Sequence, residues 1–114
     1  MDEHIVENAM KIILSAGDAR VCNQKALDAL AEFDVEKAKE LMKEANKYIT
    51  EAHKVQTDAI QDETRGEKAV YSLLFAHAQD TLMTIYSEIN IAKQLIKITE
   101  AVEKRIETLE QQMK

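Results

Sequence analysis

The stretch that decides the fold is residues 5–33, IVENAMKIILSAGDARVCNQKALDALAEF, in which small or apolar side chains recur in alternating steps of four and three residues. This spacing is typical of an α-helix that buries one stripe in left-handed helix packing. Gly17 lowers the helix propensity by about 1 kcal/mol relative to alanine, and we expect another backbone to approach closely there. The predicted stripe, with one polar member, consists of Ile5, Ala9, Ile12, Ala16, Ala19, Asn23, Ala26, Leu30 and Phe33.

A second helix is predicted to begin after Asp34, whose side chain is a favourable N-cap. We expect it to end near Gly66, with Arg65 in the last turn. Opposite charges three residues apart on one face indicate a solvated surface. These pairs are Glu36–Lys39, Glu40–Lys43 and Glu44–Lys47. The predicted buried stripe consists of Val35, Ala38, Met42, Ala45, Ile49, Ala52, Gln56 and Ala59.

A third helix is predicted to begin between Glu67 and Ser72 and to run towards the C-terminus, over about 45 residues and about 65 Å. Its last part, residues 100–114, is amphipathic, and we expect it to pair with a copy of itself or to project from the bundle. The apolar residues of this part are Val102, Ile106, Leu109 and Met113.

Three long helices with short connections predict an all-α fold, an antiparallel three-helix bundle. The helices carry more apolar positions than one bundle can bury, so we expect a closed symmetric oligomer. The chain of 114 residues is predicted to be a single domain, 1–114, in which 100–114 is a helical C-terminal extension. Two Gly and no Pro argue against an all-β fold.

The composition excludes several classes of function. A net charge of −6 disfavours nucleic acid as the main partner, because phosphate binding needs a basic face. No apolar run has the length of a membrane span. We expect a cytoplasmic protein, and the lone Cys22 is most simply a small buried apolar group. P-loop, GxGxxG, CxxC, HExxH and GxSxG motifs are absent from the sequence, which argues against an ATP-binding kinase.

The most informative candidate for chemistry is His77, in the stretch 73–84, LLFAHAQDTLMT. His77 and Asp80 are three residues apart, and Thr84 continues the same helix face. One interpretation is a core histidine paired with a neighbouring carboxylate. The other is a nucleophile or metal ligand, since neutral imidazole is a good nucleophile near pH 7.

Asp80 also has two interpretations. A single aspartate on an apolar face commonly pairs with a lysine, arginine or histidine. Alternatively, equivalent carboxylates from several copies converge at a symmetry axis, where a proton or a cation must offset their repulsion. Oxygen ligands of this kind favour Mg²⁺ or Ca²⁺.

The remaining polar candidates are assigned simpler roles. His53 is interpreted as a surface or interface histidine, and His4 is given no role. Asp18 and Arg20, beside Gly17, are expected to form local polar contacts, and a role in a site is left open.

On these residues the chain resembles the enzyme IIA components of the lactose/cellobiose (N,N′-diacetylchitobiose) class of the bacterial phosphoenolpyruvate-dependent sugar phosphotransferase system. The resemblance covers roughly residues 3–100, and its most specific part is HAQD at 77–80 followed by LMT at 82–84. Weaker matches are AGDAR at 16–20, Ala52-His53 with Gln56-Thr57, and Gly66-Glu67.

The resemblance implies a homotrimer of three-helix bundles. It implies that His77 accepts a phosphoryl group from phosphorylated HPr and passes it to a cysteine of the matching IIB component, which phosphorylates the incoming sugar. It also implies that Asp80 lies at the trimer interface and binds one Mg²⁺ per trimer. Thr81 stands where the family often has a second histidine. Ala78 favours the cellobiose/chitobiose branch over the lactose branch, in which glycine is more frequent.

For such a transfer we expect the Nε2 atom of His77 to attack, while a hydrogen bond to the other ring nitrogen holds the tautomer. A histidine in the middle of a helix lacks the free amides of a helix N-terminus, so side chains, a partner or solvent must meet the phosphoryl charge. Gln79 points to another helix face, where it serves an adjacent subunit's site or buttresses packing. The competing hypothesis is a non-catalytic helical assembly or binding module, in which His77 and Asp80 form a buried polar layer.

Overall fold

Three helices account for the residues that the computed structural model describes, which are 3–64 and 72–114. Helix α1 spans Glu3–Ala31, α2 spans Val35–Thr64 and α3 spans Leu73–Gln112. The prediction of an all-α three-helix bundle is confirmed. The predicted end of the second helix at Arg65 and Gly66 lies outside the described residues.

The connection between α1 and α2 is a Schellman-type turn centred on Phe33. The Phe33 N–H donates to the Leu30 carbonyl at 2.9 Å, and the Asp34 N–H donates to the Ala29 carbonyl at 3.0 Å. Phe33 has φ 59°, a left-handed conformation that glycine usually provides, and its ring is exposed. The prediction that Phe33 ends the buried stripe of the first helix was therefore wrong, because the chain leaves the helix before reaching it.

Helix α2 begins as predicted, since the Asp34 Oδ1 atom accepts a hydrogen bond from the Lys37 N–H at 3.2 Å. Helix α3 begins at Leu73, just after the predicted interval. Its N-cap is Ser72, whose Oγ accepts from the Phe75 N–H at 3.1 Å. Both caps satisfy amide groups that a helix start otherwise leaves unpaired.

The core is aliphatic and lies along the axis of the bundle. Each helix contributes one stripe to it, and Asn23 is the buried polar residue found among the described residues. Most of the fully buried positions are alanines, whose small side chains let the helices approach closely. The buried members are Ala9, Ile12, Ala16, Ala19, Cys22, Ala26, Ala29, Leu30, Val35, Ala38, Met42, Ala45, Ile49, Ala52, Ala78, Leu82, Ile85, Ile89, Ala92 and Ile96.

Two ion pairs show the direction and register of the helices. Lys39 of α2 pairs with Glu100 of α3 at 3.1 Å, and His53, later in α2, contacts Tyr86, earlier in α3, so these two helices run antiparallel. Arg20 of α1 pairs with Glu88 of α3 at 2.8 Å. Both contacts differ from the predictions: Lys39 contacts α3 rather than Glu36, and Arg20 contacts α3 rather than its own neighbours.

Gly17 does not mark a close helix contact. A Cβ atom built at this position meets nothing within 4 Å. The expectation that another backbone approaches there was wrong, because Gly17 lies beside the buried stripe rather than on it.

Helix α3 is longer than its partners, at 40 residues against 29 for α1 and 30 for α2. The molecule is correspondingly elongated, with extents of 70 × 20 × 18 Å. Beyond Glu100 the side chains of α3 are exposed, apart from the half-buried Glu103. Within 3–64 and 72–114, none of the helices has an apolar stretch of the length needed to cross a bilayer.

Candidate functional site

The imidazole of His77 is exposed on α3. Its neighbour Ala78 belongs to the stripe that α3 buries, and one residue rotates a helix position by about 100°. The interpretation of His77 as a core histidine satisfied by a carboxylate was therefore wrong for this chain. An exposed ring is available to meet a group carried by another protein.

His77 lies near the N-terminus of α3, four residues after Leu73, the first residue of that helix. Side chains on a helix lean towards its N-terminus, so the imidazole lies close to the positive end of the helix dipole. The first turn of α3 contains no acidic residue that would cancel this potential. The prediction that His77 lies in the middle of a helix was therefore wrong, because α3 begins at Leu73.

An exposed leucine lies on the same face of α3 as His77. Leu73 precedes His77 by one turn and is 75% exposed, whereas the exposed Met83 lies six residues later and about 120° away around the helix axis. Leu74 and Phe75 are partly buried and pack against the core, which anchors this turn. An exposed apolar surface around one reactive polar group is typical of a protein-docking surface.

The expected hydrogen bond to the second ring nitrogen of His77 has no counterpart here. Among the described residues, no hydrogen bond or ion pair is found for His77 or for Asp80. Both side chains are exposed, so solvent or another protein supplies their partners. Within one chain, the two residues share a region of α3 without a hydrogen bond or ion pair between them.

Asp80 begins a straight stripe of exposed side chains that follows α3 to its end. Successive members are separated by four, three and four residues, so the pattern repeats every 11 residues. The first three members are polar and the others are apolar. This α3 stripe consists of Asp80, Thr84, Ser87, Ile91, Leu95, Ile98, Val102, Ile106, Leu109 and Met113.

His77 lies at the edge of the α3 stripe rather than on its centre line. Three residues turn a helix by about 300°, so His77 and Asp80 differ by about 60° around the axis. A partner helix that covers the stripe would thus enclose Asp80 and leave His77 at the rim of the contact.

A single chain does not form a metal site within the described ranges. No three side chains from His, Cys, Asp and Glu come together there in a way that could hold a metal ion. Asp80 alone offers one carboxylate, which is the type of ligand that Mg²⁺ or Ca²⁺ prefers. The donor chemistry of Asp80 fits such an ion only where copies of the chain bring several carboxylates together.

His53 of α2 is half-buried and contacts Tyr86 of α3. The two ring centroids are 4.8 Å apart, and the rings are nearly perpendicular at 87°, an edge-to-face arrangement. One turn later, the Gln56 Oε1 atom is buried without a hydrogen-bond partner. Within the chain, His53 contributes to the packing of α2 on α3.

Arg20 and Glu88 join α1 to α3 beside the α3 stripe. The Arg20 Nε and Nη2 atoms donate to the two carboxylate oxygens of Glu88 at 3.0 and 2.8 Å. Glu88, by accepting these hydrogen bonds, raises the pKa of the Arg20 guanidinium above its ordinary value. Sequence reasoning missed this pair because its members are far apart in the chain, and no local spacing connects them.

The Arg20–Glu88 pair lies at one end of an open groove of about 430 Å³ between α1 and α3. Asn23 also lines the groove, and its Oδ1 atom is buried without a hydrogen-bond partner. The opposite wall includes Ile91 and Leu95, which are members of the α3 stripe. The groove therefore borders the same exposed face as Asp80.

Cys22 is buried on α1, as predicted. Its Sγ atom lies 3.9 Å from the Glu44 Oε2 atom. Burial raises the pKa of the Cys22 thiol, and the nearby Glu44 carboxylate raises it further. A protonated, buried thiol is a poor nucleophile, so Cys22 is a packing residue.

Comparison with known proteins identifies a family that matches most of the chain. The family model described as "PTS system, Lactose/Cellobiose specific IIA subunit" matches residues 7–100. The match includes the exposed histidine and the bundle part of α3, and it ends where α3 leaves the bundle.

Individual relatives agree with the family match. The lactose-specific EIIA component of the PTS system from Staphylococcus epidermidis is 40% identical over 88 residues, covering 77% of this chain and 85% of that protein. The crystal structure of the PTS cellobiose-specific enzyme IIA from Bacillus anthracis superimposes with a TM-score of 0.84. The two sequences are 35% identical, and the match covers 91% of this chain and 95% of that chain.

A third relative was solved in a complex. The solution structure of the IIA(chitobiose)–HPr complex of the N,N′-diacetylchitobiose branch of the Escherichia coli phosphotransferase system contains a chain that superimposes with a TM-score of 0.73. It is 30% identical, and the match covers 90% of this chain and 99% of that chain.

Proposed function

The chain belongs to the lactose/cellobiose-specific IIA family of the sugar phosphotransferase system, and we propose that His77 is the residue that carries its phosphoryl group. In this proposal the protein accepts the group from phosphorylated HPr and passes it to a cysteine of the matching IIB component. The observation that carries the assignment is the exposure of the His77 imidazole at the start of α3.

The chemistry consists of two substitutions at phosphorus. The Nε2 lone pair of His77 attacks the phosphoryl group of HPr, so a bond to His77 forms as the bond to HPr breaks. The thiolate of the IIB cysteine then attacks the same phosphorus, and the bond to His77 breaks. Each step requires in-line approach and charge stabilisation rather than additional covalent groups.

The N-terminus of α3 contributes only weakly to these steps. A helix dipole stabilises exposed negative charge by about 0.3–1 kcal/mol, and the effect falls off within the first turn. His77 is the fifth residue of α3 and starts its second turn. Asp80 follows one turn later, and its carboxylate would repel a phosphoryl group unless its charge is offset. The enclosure of Asp80 by neighbouring copies would separate its charge from the reacting atoms.

HPr is proposed as the phosphoryl donor and as a docking partner. A chain of the same fold and 30% identity forms a complex with HPr in the Escherichia coli system. Leu73, one turn before His77, presents an exposed apolar side chain that such a partner can bury. An apolar patch with a polar rim allows a contact that forms and releases readily, as sequential transfer requires.

The proposed assembly is a homotrimer in which copies pack along the α3 stripe. The apolar members of the stripe are exposed in the single chain, and their repeat continues over most of α3. A threefold axis along the stripe would bring three Asp80 carboxylates together, with one Mg²⁺ among them. The bound ion would offset the mutual repulsion of these carboxylates at the interface.

The sugar is proposed to be a β-disaccharide of the cellobiose or chitobiose type rather than lactose. This preference rests on the resemblance at Ala78 and not on a contact with sugar. Ala78 is buried in the core, so its methyl group affects packing and does not meet a substrate. We place the protein in the cytoplasm, together with its proposed phosphotransfer partners.

The alternative function is a helical assembly module without chemistry. The unpartnered apolar members of the α3 stripe favour assembly under either hypothesis. Labelling by phosphorylated HPr separates the two, because a module without chemistry would not accept a phosphoryl group.

The proposal is tested by incubating the protein with phosphoenolpyruvate, enzyme I and HPr and measuring the intact mass. The expected result is a gain of one phosphoryl group that is lost in acid and retained in base. His77→Gln should abolish the gain and leave the far-ultraviolet circular dichroism spectrum unchanged. The matched control is His53→Gln, on α2, which should still be labelled.

Two outcomes would contradict the assignment. Stoichiometric labelling of the His77→Gln protein would show that another residue accepts the phosphoryl group. A folded wild-type protein that phosphorylated HPr never labels would favour the assembly module.

A further inference from the structure

The hydroxyl of Thr81 is an unused polar group one turn after His77 on α3. Residues four apart are neighbours on a helix surface, with about 5–6 Å between their Cβ atoms. Thr81 is half-buried, and within the described ranges its hydroxyl makes no hydrogen bond. Threonine in a helix commonly donates to the carbonyl four residues earlier, as Thr108 does to Lys104 at 3.0 Å. The Thr81 hydroxyl therefore remains available to another partner.

Viewed down the axis of α3, His77 lies between Thr81 and Asp80. With about 100° per residue, Thr81 is about 40° from His77 on one side, and Asp80 is about 60° away on the other. Glu88 follows Thr81 by seven residues and shares its face, and Glu88 pairs with Arg20 of α1. Thr81 is therefore on the side of His77 that is turned towards α1.

The register of α1 against α3 shows which side chain of α1 is nearest to Thr81. Both helices run antiparallel to α2, so they run parallel to each other. The pair between Arg20 and Glu88 sets an offset of 68 residues between them. At this offset Thr81 is level with Ile13, a partly buried residue that packs against the core. At this level α1 therefore offers an apolar side chain and not a polar one.

Other groups within one turn of His77 do not offer a neutral hydrogen-bond acceptor. The positions of α3 one turn earlier are Leu73 and Leu74. The charged residues of α1 near the level of His77 are Glu7 and Lys11, and they pair with each other at 3.4 Å. In the described part of this neighbourhood, the neutral side-chain acceptor is the threonine hydroxyl that follows His77.

The charge of the two polar neighbours distinguishes their suitability. Asp80 carries a carboxylate, whose negative charge would repel an incoming phosphoryl group. In the proposed trimer it is enclosed with its equivalents, on the side of His77 away from α1. The Thr81 hydroxyl oxygen accepts a hydrogen bond from an imidazole N–H without adding charge. Thr81 can therefore hold the ring of His77 without opposing the transfer.

We propose that Thr81 is a positioning residue for the transfer, whose hydroxyl oxygen accepts a hydrogen bond from the Nδ1–H of His77. This inference rests on the phosphocarrier function proposed above. In the free chain, solvent competes for the exposed imidazole. A docked partner excludes that water, and the Thr81 hydroxyl then supplies the hydrogen bond from within the chain. The bond keeps the proton on Nδ1 and leaves the Nε2 lone pair free to attack.

The hydrogen bond persists through both substitutions at phosphorus. As Nε2 attacks, the bond from phosphorus to His77 forms, the bond to HPr breaks, and the ring acquires positive charge while its proton stays on Nδ1. The Thr81 oxygen stabilises this charge through the same N–H, because a hydrogen bond from a charged donor is stronger than a neutral one. When the IIB thiolate attacks, the bond to His77 breaks and the neutral ring is restored. The Nδ1 proton is retained in both steps.

The contribution of Thr81 to the rate is tested in the full-length protein by single-turnover transfer from phosphorylated HPr. Thr81→Val keeps the shape of the side chain and removes the hydroxyl. It should lower the rate at saturating HPr about fivefold. The half-saturating concentration should not change, because Thr81 acts through His77 and does not hold HPr.

Two further variants separate the hydroxyl from packing. Thr81→Ser keeps a hydroxyl and should stay within about twofold of the wild-type rate. The matched control is Thr99→Val, at a half-buried threonine of the same helix about 33 Å from His77. It should also stay within about twofold of wild type. Far-ultraviolet circular dichroism checks that all three variants fold.

The tautomer of His77 is measured from the ¹⁵N chemical shifts of its ring in the complex with unphosphorylated HPr. Wild type, Thr81→Ser and Thr99→Val should carry the proton on Nδ1. In Thr81→Val the proton should shift towards Nε2, because the acceptor that favours Nδ1–H is missing. A role of Thr81 in packing alone would not move these chemical shifts.

Three results would overturn this role of Thr81 while the wild type is still labelled. Thr81→Val with the wild-type rate and tautomer would show that the hydroxyl does not hold the ring. A tautomer that responds to Asp80→Asn and not to Thr81→Val would assign the hydrogen bond to the carboxylate. A loss of rate that Thr81→Ser shares in full would show a packing role. A wild type that phosphorylated HPr never labels would instead refute the phosphocarrier function, and this inference with it.

Discussion

The two ends of α3 belong to one continuous helix, yet they differ in what their side chains contact. From Leu73 to Glu100 the helix has two stripes: one is buried in the bundle, and the other, beginning at Asp80, is exposed. In residues 101–114, the tail, the buried stripe is missing and the exposed stripe continues. The exposed stripe is therefore not a by-product of bundle packing, because it persists where there is no bundle.

The difference also separates chemistry from assembly. His77 stands at the bundle end, in the second turn of α3 and one turn after the exposed Leu73. The tail contains no histidine or cysteine, and its apolar members alternate with charged residues. Changes at the first end should therefore affect transfer, and changes at the second end should affect the association of copies.

The largest expected effect is on transfer. His77→Gln should lower phosphoryl transfer from HPr to IIB at least 1000-fold, because it removes the attacking nitrogen. Ile106→Ser/Leu109→Ser should lower transfer by less than about threefold at concentrations where the protein remains assembled. Both are measured in a coupled sugar phosphorylation assay. If the tail variant lost as much transfer activity as His77→Gln, the two ends of α3 would not have separate roles.

The second prediction compares two leucines of α3. Leu82 is fully buried and Leu109 is 58% exposed. Leu82→Ala should lower the free energy of unfolding by about 3 kcal/mol, because it leaves a cavity in the core. Leu109→Ala should lower it by less than about 1 kcal/mol when the chains are dissociated. Urea denaturation at low protein concentration measures both, and a comparable loss at Leu109 would place the tail in the folding core.

The third prediction concerns Asn23, which faces the groove between α1 and α3. Its Oδ1 atom is buried without a partner, which costs stability. Asn23→Leu, a change of similar volume, should raise the free energy of unfolding by about 1 kcal/mol at low concentration. Thermal denaturation at several concentrations provides the measurement. Destabilisation confined to high concentration would mean that a second copy supplies the missing donor.

The smallest expected effect is at Asp80. A chelator should weaken the wild-type assembly a few-fold, if an ion offsets the repulsion among converging carboxylates. Asp80→Asn keeps the shape and removes the charge, so its assembly should not respond to the chelator. Sedimentation with and without EDTA is the measurement. An equal response of wild type and Asp80→Asn to EDTA would show that Asp80 does not bind the ion.

Much of the bundle could be predicted from local patterns. The buried stripes of α1 and α2 follow helical spacing from Ala9 to Leu30 and from Val35 to Ile49, and the structure buries these members. The cap at Asp34 was also predictable, because its side chain bonds an amide only three residues away. The prediction failed at Phe33, where a left-handed turn ended the stripe before the sequence pattern did.

The candidate site was less predictable than the helices. Sequence spacing placed His77 and Asp80 on neighbouring positions but left open whether the imidazole is buried. The outcome depends on which stripe of α3 packs against α1 and α2, and both stripes of that helix have helical periodicity. Arg20 and Glu88 were out of reach for the same reason, since their pairing depends on the register between two helices.

By itself, the sequence determined the three amphipathic helices and the start of α2, because hydrophobic periodicity and helix capping act within a few residues. It also singled out His77 among the histidines, through the residues that follow it in the chain. Only the tertiary structure decided that Ala78 faces the core and His77 faces solvent, that α3 begins just before this histidine, and that the tail leaves the bundle. These features depend on which face of α3 packs against α1 and α2. That choice is set by the apolar area buried over the whole bundle, which no local pattern contains.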